Sequence, residues 1–280
     1  MNKLRILKDA QRNKTAIGQF NFSDISQFKG IIFAAKKMKS SVILGTSEGE
    51  GKFLNLKLAA KLRDFAEEEL GFPLILNLDH GKSFEKIKEA ISAGYDMVHF
   101  DGSSLPLEKN IKETKKVVQY AKKRGVIVEA ELGYLTGSSK LHNEIIKIKK
   151  ADMTIPEDAK KFVEETKADA LAVVIGNAHG IYSKMPHLDL ERLNMIKRMI
   201  DEKAFLVLHG GSGISNSTIR KAIYFGITKI NINTEIRMAW KNGLERSLKK
   251  NKKEVAPYKI YKQSLKEVEK VVTKKIKLFS

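Results

Sequence analysis

Short apolar runs alternate with longer amphipathic segments along almost the whole chain. The segments between the runs carry apolar residues three and four positions apart, as in Leu107, Ile111, Val118 and Ala121, which predicts helices with one buried face. This alternation is typical of βαβ units and a parallel sheet. Eight apolar runs predict buried strands at residues 15–20, 41–45, 74–78, 97–100, 126–130, 170–175, 205–208 and 228–232.

Eight strand–helix repeats within roughly 250 residues predict an α/β fold of the (β/α)8 or TIM barrel type. Pro156 predicts the first turn of the helix before the sixth strand, because proline loses no hydrogen bond at that position. Additional helices are predicted at 2–13 and 257–278. No linker interrupts the pattern, so we expect one domain over residues 1–280, with a doubly wound sheet as the alternative fold.

The composition narrows the possible chemistry. The chain has no cysteine, which excludes disulfides, thiolate metal sites and a cysteine nucleophile. Any metal must therefore be held by His, Asp or Glu. No stretch approaches the roughly 20 apolar residues that a membrane span needs, and the start has no apolar secretory core. We expect a cytoplasmic protein with no membrane partner.

The chain is strongly basic, with 52 Lys and Arg against 33 Asp and Glu and a net charge of +19. Such an excess can indicate a nucleic-acid or membrane-surface partner. Most of the basic residues, however, are lysines on predicted helices, as at 112–123 and 241–253, where solvated faces are expected. No nucleic-acid motif accompanies them. We therefore expect no nucleic-acid partner, whereas an anionic substrate is compatible with the charge.

Polar residues cluster where the predicted strands end, which is where barrels of this type place their chemistry. Three of the six histidines follow strands three, six and seven, and three imidazoles with an open fourth position are typical of a catalytic zinc site. One such histidine alone would more simply be structural, and His99, His142 and His187 are interpreted in that way. The polar residues at the strand ends are Asp79, His80, Asp101, Glu129, Glu131, His179, His209 and Asn231.

The sequences of two loops predict a phosphate-binding site. The run 209–213 (HGGSG) follows the seventh strand and the run 231–234 (NINT) follows the eighth. Glycines allow backbone N–H groups to approach a phosphate closely, and these two loops form the usual phosphate site of the fold. A glycine-rich turn alone is a weak signal, and its position in the barrel gives it weight.

Six ordered blocks of the sequence resemble the class II, zinc-dependent fructose-bisphosphate and tagatose-bisphosphate aldolases over essentially the full length. The resemblance implies reversible cleavage of fructose 1,6-bisphosphate or tagatose 1,6-bisphosphate to dihydroxyacetone phosphate and glyceraldehyde 3-phosphate, in a homo-oligomer (dimer or tetramer). The sequence does not distinguish the two sugars, which differ at C4. The blocks are NLDHG (77–81), FDGSSLPLEKNIKET (100–114), VEAELG (128–133), ALAVVIGNAHGIY (170–182), LVLHGGSGI (206–214) and KININTE (229–235).

The resemblance also implies a role for each candidate site residue. His80, His179 and His209 would bind the catalytic zinc, and Asp79 would act as acid and base on the C4 hydroxyl. Asp101 and Glu131 match positions that can hold a second or displaced metal. Ser47 matches a residue on the aldehyde side, Asn21 belongs to the family's first-strand motif, and the dihydroxyacetone-phosphate contacts match Gly180, Gly210, Gly211, Ser212, Asn231, Ile232, Asn233 and Thr234.

The segment after VEAELG departs from the family pattern. Ser138 and Ser139 stand where the family has consecutive acids, one of which moves a proton at the dihydroxyacetone-phosphate carbon. Glu144 is the nearest downstream carboxylate and is the candidate replacement if the loop rearranges.

Three alternatives remain open. The first is a degenerate barrel that binds zinc and phosphate without turnover, and the second is an aldolase for a related phosphorylated keto-sugar. The third is a class I enzyme with a lysine Schiff base. Strand six contains no lysine, but Lys229 is in phase with Asn231 and could point inward, so this last alternative is disfavoured.

Overall fold

The computed structural model describes residues 3–280, which form a closed barrel of eight parallel strands with two further strands beside it. The barrel order is β1-β10-β9-β7-β5-β4-β3-β2, and β6 pairs with β8 as a separate ribbon. The (β/α)8 prediction is confirmed, and the doubly wound alternative is excluded. The strands are β1 (Ile17–Asn21), β2 (Ile43–Ser47), β3 (Ile75–Gly81), β4 (Met97–Phe100), β5 (Ile127–Leu132), β6 (Gly137–Ile145), β7 (Ala170–Val173), β8 (His179–Lys184), β9 (Phe205–Leu208) and β10 (Ile227–Ile232).

The helices lie where the apolar periodicity predicts them. Pro156 occupies the first turn of its helix as expected, whereas the helix predicted at 257–278 is divided at Tyr261. The predicted first helix begins at Leu4, and Asn2 lies outside the described residues. The helices are α1 (Leu4–Arg12), α2 (Ile25–Met38), α3 (Glu48–Leu54), α4 (Leu56–Leu70), α5 (Phe84–Ala93), α6 (Leu107–Lys122), α7 (Pro156–Thr166), α8 (Leu190–Ile200), α9 (Asn216–Tyr224), α10 (Thr234–Lys250), α11 (Pro257–Ile260) and α12 (Lys262–Phe279). Within residues 3–280, no helix is both long and apolar enough to cross a membrane.

The interior of the barrel changes from apolar to polar along the strands. Near the N-terminal ends, the inward side chains form an apolar cluster that Leu7 of α1 joins. Two positions further along β3, β4 and β5, the inward residues are Asn77, His99 and Glu129, all fully buried. The apolar cluster therefore closes the lower end and leaves a polar floor under the C-terminal rim. The members of the cluster are Leu7, Ile43, Ile75, Met97, Ile127, Ala170, Ala172, Phe205 and Val207.

The ribbon of β6 and β8 was not predicted. Gly137 lies opposite His179, and His142 lies opposite Tyr182 and stacks on its ring with 4.5 Å between the centroids. Most side chains of β6 are exposed, so its sequence lacks the apolar alternation that marks a half-buried strand. The ribbon begins beside the C-terminal rim of the barrel and brings part of the segment after VEAELG over it.

Candidate active site and metal centre

A cavity of about 140 Å³ opens at the C-terminal ends of the strands and collects most of the predicted site residues. A larger cavity, of about 480 Å³, lies at the opposite end of the barrel beside Lys3 and Asp169 and holds none of them. The position of the smaller cavity agrees with the general location of chemistry in this fold. It is lined by Ser47, Asp79, His80, Ser138, Ser139, His179, Gly180, His209, Gly210, Ser212, Asn231, Asn233, Thr234 and Arg237.

Asp79 is held between two amides on the cavity wall. Its Oδ2 accepts a hydrogen bond from Nδ2 of Asn21 at 2.8 Å, and its Oδ1 accepts one from Nδ2 of Asn231 at 3.0 Å. Burial acts to raise the pKa of this carboxyl, but the neighbouring imidazoles of His80 and His209 outweigh it and hold the pKa well below its usual range. Asp79 is therefore a charged carboxylate in a fixed orientation, which suits a general base.

His80 and His209 each direct one ring nitrogen at a carboxylate. Nδ1 of His80 lies 3.0 Å from Asp101, and Nε2 of His209 lies 2.6 Å from Glu129. The other two nitrogens, Nε2 of His80 and Nδ1 of His209, face each other at 3.0 Å. If each ring gives its N–H to a carboxylate, two lone pairs converge, and a proton or a metal cation is needed to relieve their repulsion. Metal-binding histidines typically donate their second ring N–H to a carboxylate in this way.

His179 completes a group of three imidazoles around the cavity. Its ring centroid lies 4.8 Å from that of His80 and 6.2 Å from that of His209. Burial and the nearby positive charge of His80 lower the pKa of His179 to about 3, so this ring is neutral, which is the form that binds metals.

His80 has the opposite tendency. Burial acts to lower its pKa, but the carboxylates of Asp79 and Asp101 outweigh burial and raise the pKa to about 9. A metal ion that binds His80 at neutral pH must therefore displace a proton.

Among residues 3–280, two sets of side chains place ligand atoms within 4.8 Å of one another. The first contains His99, which the sequence analysis interpreted as structural. His99 is fully buried, and its Nδ1 accepts a hydrogen bond of 3.1 Å from the backbone N–H of His80, so it supports the backbone of a candidate ligand. The sequence could have indicated this, because His99 lies two residues before Asp101 and alternate residues of a strand point to the same side. The two sets are Asp79, His80, His99 and His209, and His80, Asp101 and Glu131.

Lys229 points into the barrel, as its phase allowed, but it does not line the cavity. Its ammonium lies 2.8 Å from Glu129 and donates to Oδ1 of Asn231 at 2.7 Å. The side chain is fully buried. A lysine engaged in this way gives no support to a Schiff base mechanism.

The predicted phosphate loops approach each other closely. Gly210 and Gly180 adopt positive φ, and a Cβ at Gly210 would lie 2.1 Å from the carbonyl oxygen of Ala178. Thr234 is the first residue of the 17-residue helix α10 and lines the cavity, so the helix N-terminus and its favourable dipole lie beside this region. Glycine and a helix N-terminus together are suited to an anion. Gly211 and Ile232 support the loops without lining the cavity.

Arg237 was missed by sequence reasoning. It lies one turn after Thr234 on α10 and lines the cavity, with Nη2 at 2.6 Å from Glu50 and Nη1 donating to the carbonyl of Ser139 at 3.3 Å. Glu50 is buried and belongs to a capping box with Ser47 at the start of α3. The spacing of Arg237 from Thr234, three residues along one helix, could have indicated that both face the site.

Glu144 does not reach the cavity. Its side chain is 80% exposed on β6, 4.0 Å from Nδ1 of His142. Ser138 and Ser139, which occupy the positions of the missing acids, do line the cavity. The structure thus brings the serines to the site and leaves Glu144 outside.

The chain is similar to proteins of known type over its whole length. The model of the family "Fructose-bisphosphate aldolase class-II" matches residues 1–280. A 6-phospho-5-dehydro-2-deoxy-D-gluconate aldolase of Bacillus subtilis strain 168 is 38% identical over 280 residues, covering 98% of this chain and 93% of the relative. A fructose-bisphosphate aldolase of Staphylococcus aureus strain Mu50 is 37% identical, covering 98% and 95%.

Solved structures agree with these relatives. The YdjI aldolase from Escherichia coli K12 superimposes with a TM-score of 0.83 at 31% identity, covering 100% of this chain and 97% of that one. A protein described as a putative fructose-1,6-bisphosphate aldolase, from Coccidioides immitis, gives a TM-score of 0.86 at 26% identity, covering 99% of this chain and 96% of that one. The resemblance seen in the six sequence blocks is confirmed, and the chain belongs to the class II fructose-bisphosphate aldolases, a family of carbon–carbon lyases.

Proposed function

We propose that this protein is a zinc-dependent aldolase that reversibly cleaves a phosphorylated ketose to dihydroxyacetone phosphate and an aldehyde, with fructose 1,6-bisphosphate or tagatose 1,6-bisphosphate as substrate. The observation that carries the proposal is the charged Asp79 beside the converging nitrogens of His80 and His209, in a cavity shared with the phosphate loops. The residues proposed for acid–base chemistry, metal binding and phosphate binding therefore line or adjoin one cavity.

The side chains suit the metal that this chemistry needs. His80, His179 and His209 would hold the catalytic zinc, and Asp101 and Glu131 would accept a second or displaced ion. Three neutral imidazoles with an open position are the usual donor set of catalytic zinc. When bound, the ion supplies a Lewis acid that polarises the substrate carbonyl.

The remaining steps belong to the protein's own side chains. Asp79 takes the proton of the C4 hydroxyl during cleavage and returns it during condensation, while Asn21 and Asn231 keep its carboxylate oriented. The backbone at Gly210 and Ser212 and the start of α10 bind the phosphate of the dihydroxyacetone-phosphate half. Gly211, whose N–H donates to the carbonyl of Asn231, holds the two loops together. Glu144 moves the proton at C3 once the ribbon closes over the substrate.

A second candidate substrate is 6-phospho-5-dehydro-2-deoxy-D-gluconate. It is favoured by the Bacillus subtilis relative that is 38% identical over 280 residues and is named for this compound. Its cleavage by an aldolase would use the same residues on the dihydroxyacetone-phosphate half and differ only in the aldehyde.

The test is a coupled assay of the purified protein on all three phosphorylated sugars, with and without a chelator, together with measurement of bound metal. We expect cleavage of at least one sugar, loss of activity with the chelator, and recovery with zinc. Activity that survives complete metal removal would contradict the proposal. Zinc and dihydroxyacetone-phosphate binding without cleavage of any sugar would instead support the degenerate barrel.

A further inference from the structure

Three buried side chains form a polar network beneath the cavity, which we call the floor network: Glu129 on β5 and Lys229 and Asn231 on β10. Lys229 and Glu129 are fully buried, and Asn231 is 7% exposed. The Lys229 ammonium lies 2.8 Å from Oε2 of Glu129 and donates to Oδ1 of Asn231 at 2.7 Å. The network rests directly above the apolar cluster that fills the lower end of the barrel.

One arm of the network reaches His209. Oε1 of Glu129 lies 2.6 Å from Nε2 of His209. A carboxylate can only accept a hydrogen bond, so this contact places the imidazole proton on Nε2 and leaves Nδ1 with a lone pair directed at the cavity. Glu129 remains a carboxylate at full burial because Lys229 provides its counter-charge; without it, an isolated buried charge is strongly unfavourable.

The other arm reaches Asp79. An asparagine side chain can be turned either way, with oxygen and nitrogen exchanged. Because the Asn231 oxygen accepts from Lys229, its NH2 group must face Oδ1 of Asp79, to which it donates at 3.0 Å. In the reversed orientation the amide oxygen would face the carboxylate and repel it.

From these contacts we infer that Lys229 is a positioning residue that acts on both halves of the site, fixing the His209 tautomer through Glu129 and the Asn231 amide orientation through a direct hydrogen bond. The inference rests on the proposed function, in which His209 binds the metal and Asp79 moves the proton. Stability alone does not account for the lysine, because replacing a buried ion pair by apolar side chains of similar size is often neutral or stabilising.

The decisive variants are Lys229→Met and the double variant Lys229→Met/Glu129→Gln. The single variant leaves the Glu129 charge unpaired and can unfold for that reason, whereas the double variant removes both charges and keeps the volume. The glutamine amide that replaces the Glu129 carboxylate can also donate to Nε2 of His209, which would move the imidazole proton to Nδ1 and block the lone pair. We expect the double variant to fold and to bind zinc about 10–100-fold more weakly, as when other partners of metal ligands are removed.

Measurements of turnover and of zinc binding distinguish a positioning role of Lys229 from a purely structural one. At saturating zinc, kcat of the double variant should fall by about 10-fold or more, because the Asn231 amide no longer has a fixed orientation toward Asp79. KM should change less than kcat, since the glycine loop at 209–213 and the start of α10 are unchanged. The zinc dissociation constant is measured by competition with a chromophoric chelator, and it reports on the metal site independently of activity.

Arg63→Met is the matched control. Arg63 is also a buried cation, 6% exposed and paired with Asp64, Glu67 and Asp96 at the opposite end of the barrel. The Arg63→Met variant should be less stable than the wild type and should keep its zinc affinity and kcat. Zinc affinity and kcat close to those of the wild type in a folded double variant would overturn the inference, as would failure of both variants to fold, which would show a structural role. His209→Ala that keeps its zinc would instead refute the proposed function.

Discussion

His80 contacts several other residues of the candidate site at once. Its backbone N–H donates to His99, its Nδ1 contacts Asp101 and its Nε2 faces His209. It adopts φ 55°, a left-handed conformation that is uncommon outside glycine and is often found at functional sites. The neighbouring residue, Asp79, points to the same cavity. The left-handed turn is what lets two consecutive residues of a strand both face the site.

The first prediction separates the proposed proton-transfer role of Asp79 from the proposed zinc-binding role of His209. Asp79→Ala should lose carbon–carbon cleavage and keep zinc, because Asp79 is proposed to move a proton and not to bind the ion. His209→Ala should lose zinc and activity together while the barrel still folds. Elemental analysis, circular dichroism and the cleavage assay measure these three properties. If Asp79→Ala lost as much zinc as His209→Ala, the assignment of roles would be wrong.

The second prediction concerns Glu144, which the structure leaves exposed. If the ribbon closes over bound substrate, Glu144→Gln should slow exchange of the C3 proton of dihydroxyacetone phosphate with solvent by about 10²–10⁴-fold, the usual contribution of a general base. Zinc content should not change. Proton exchange is followed by NMR in deuterated water. Exchange at the wild-type rate would make Glu144 an ordinary surface residue, and Ser139→Glu would then test whether an acid at the family position accelerates the reaction.

The candidate residues that the sequence could predict are those whose place follows from the strand itself. Asp79, His80 and His209 directly follow or end buried apolar runs, and in this fold that position is the active rim. His99 and Arg237 depend on information of another kind. Whether His99 contacts His80 depends on the register between β3 and β4, which shifts near Gly81, and the contact of Arg237 with Ser139 depends on where the ribbon lies.

At the level of elements, the barrel strands were predictable because their apolar runs are buried on both faces, and β4 and β9 match their predicted bounds. The ribbon was not, because exposed strands carry no such runs. The helix predicted at 257–278 is broken at Tyr261, although its sequence has no internal proline or glycine. Apolar periodicity locates buried faces and is silent about elements held mainly by backbone hydrogen bonds.

The third prediction tests the loops that approach each other at the proposed phosphate site. Gly210 and Gly71 both have positive φ, but a Cβ at Gly210 would lie 2.1 Å from a backbone oxygen, whereas a Cβ at Gly71 meets nothing within 4 Å. Gly71→Ala should therefore cost only the left-handed backbone conformation, about 1–2 kcal/mol. Gly210→Ala should cost more and also weaken binding of inorganic phosphate.

Urea denaturation and phosphate titration of the two glycine variants provide the comparison. Gly71 ends α4, away from the cavity, so Gly71→Ala should bind phosphate as the wild type does. Equal stability losses with unchanged phosphate binding in both variants would mean that the loop at Gly210 can move aside, and that its glycine is not needed for close approach.

For the whole molecule, a buried tyrosine predicts how stability depends on pH. Tyr95 contacts Thr46 through its hydroxyl at 2.7 Å, and burial raises its pKa to about 12. In the unfolded chain the pKa is about 10. As pH rises above about 10, Tyr95 ionises in the unfolded chain but stays protonated in the folded protein. Its contribution to the free energy of unfolding is therefore fully present below about pH 10 and is lost as pH approaches 12.

The fourth prediction is that Tyr95→Phe removes part of this alkaline destabilisation. Between about pH 9 and pH 11 the wild type should lose about 1 kcal/mol more unfolding free energy than the variant, since each pH unit above the unfolded pKa corresponds to about 1.4 kcal/mol. Denaturant unfolding at both pH values measures the difference. Identical losses in the two proteins would show that Tyr95 ionises equally in the folded and unfolded states.

Closure of the barrel joins the first strand to the last. Ile17 of β1 pairs with Lys229 of β10, and the backbone N–H of Ala16 donates to the carbonyl of Phe279 at 2.9 Å. The two amides that hold Asp79 come from opposite sides of this seam, Asn21 from β1 and Asn231 from β10. During synthesis, β1 leaves the ribosome long before β10, so the edge of β1 that pairs with β10 stays unpaired until then. A chain whose translation stops before β10 therefore lacks Asn231, one of the two amides that orient the Asp79 carboxylate.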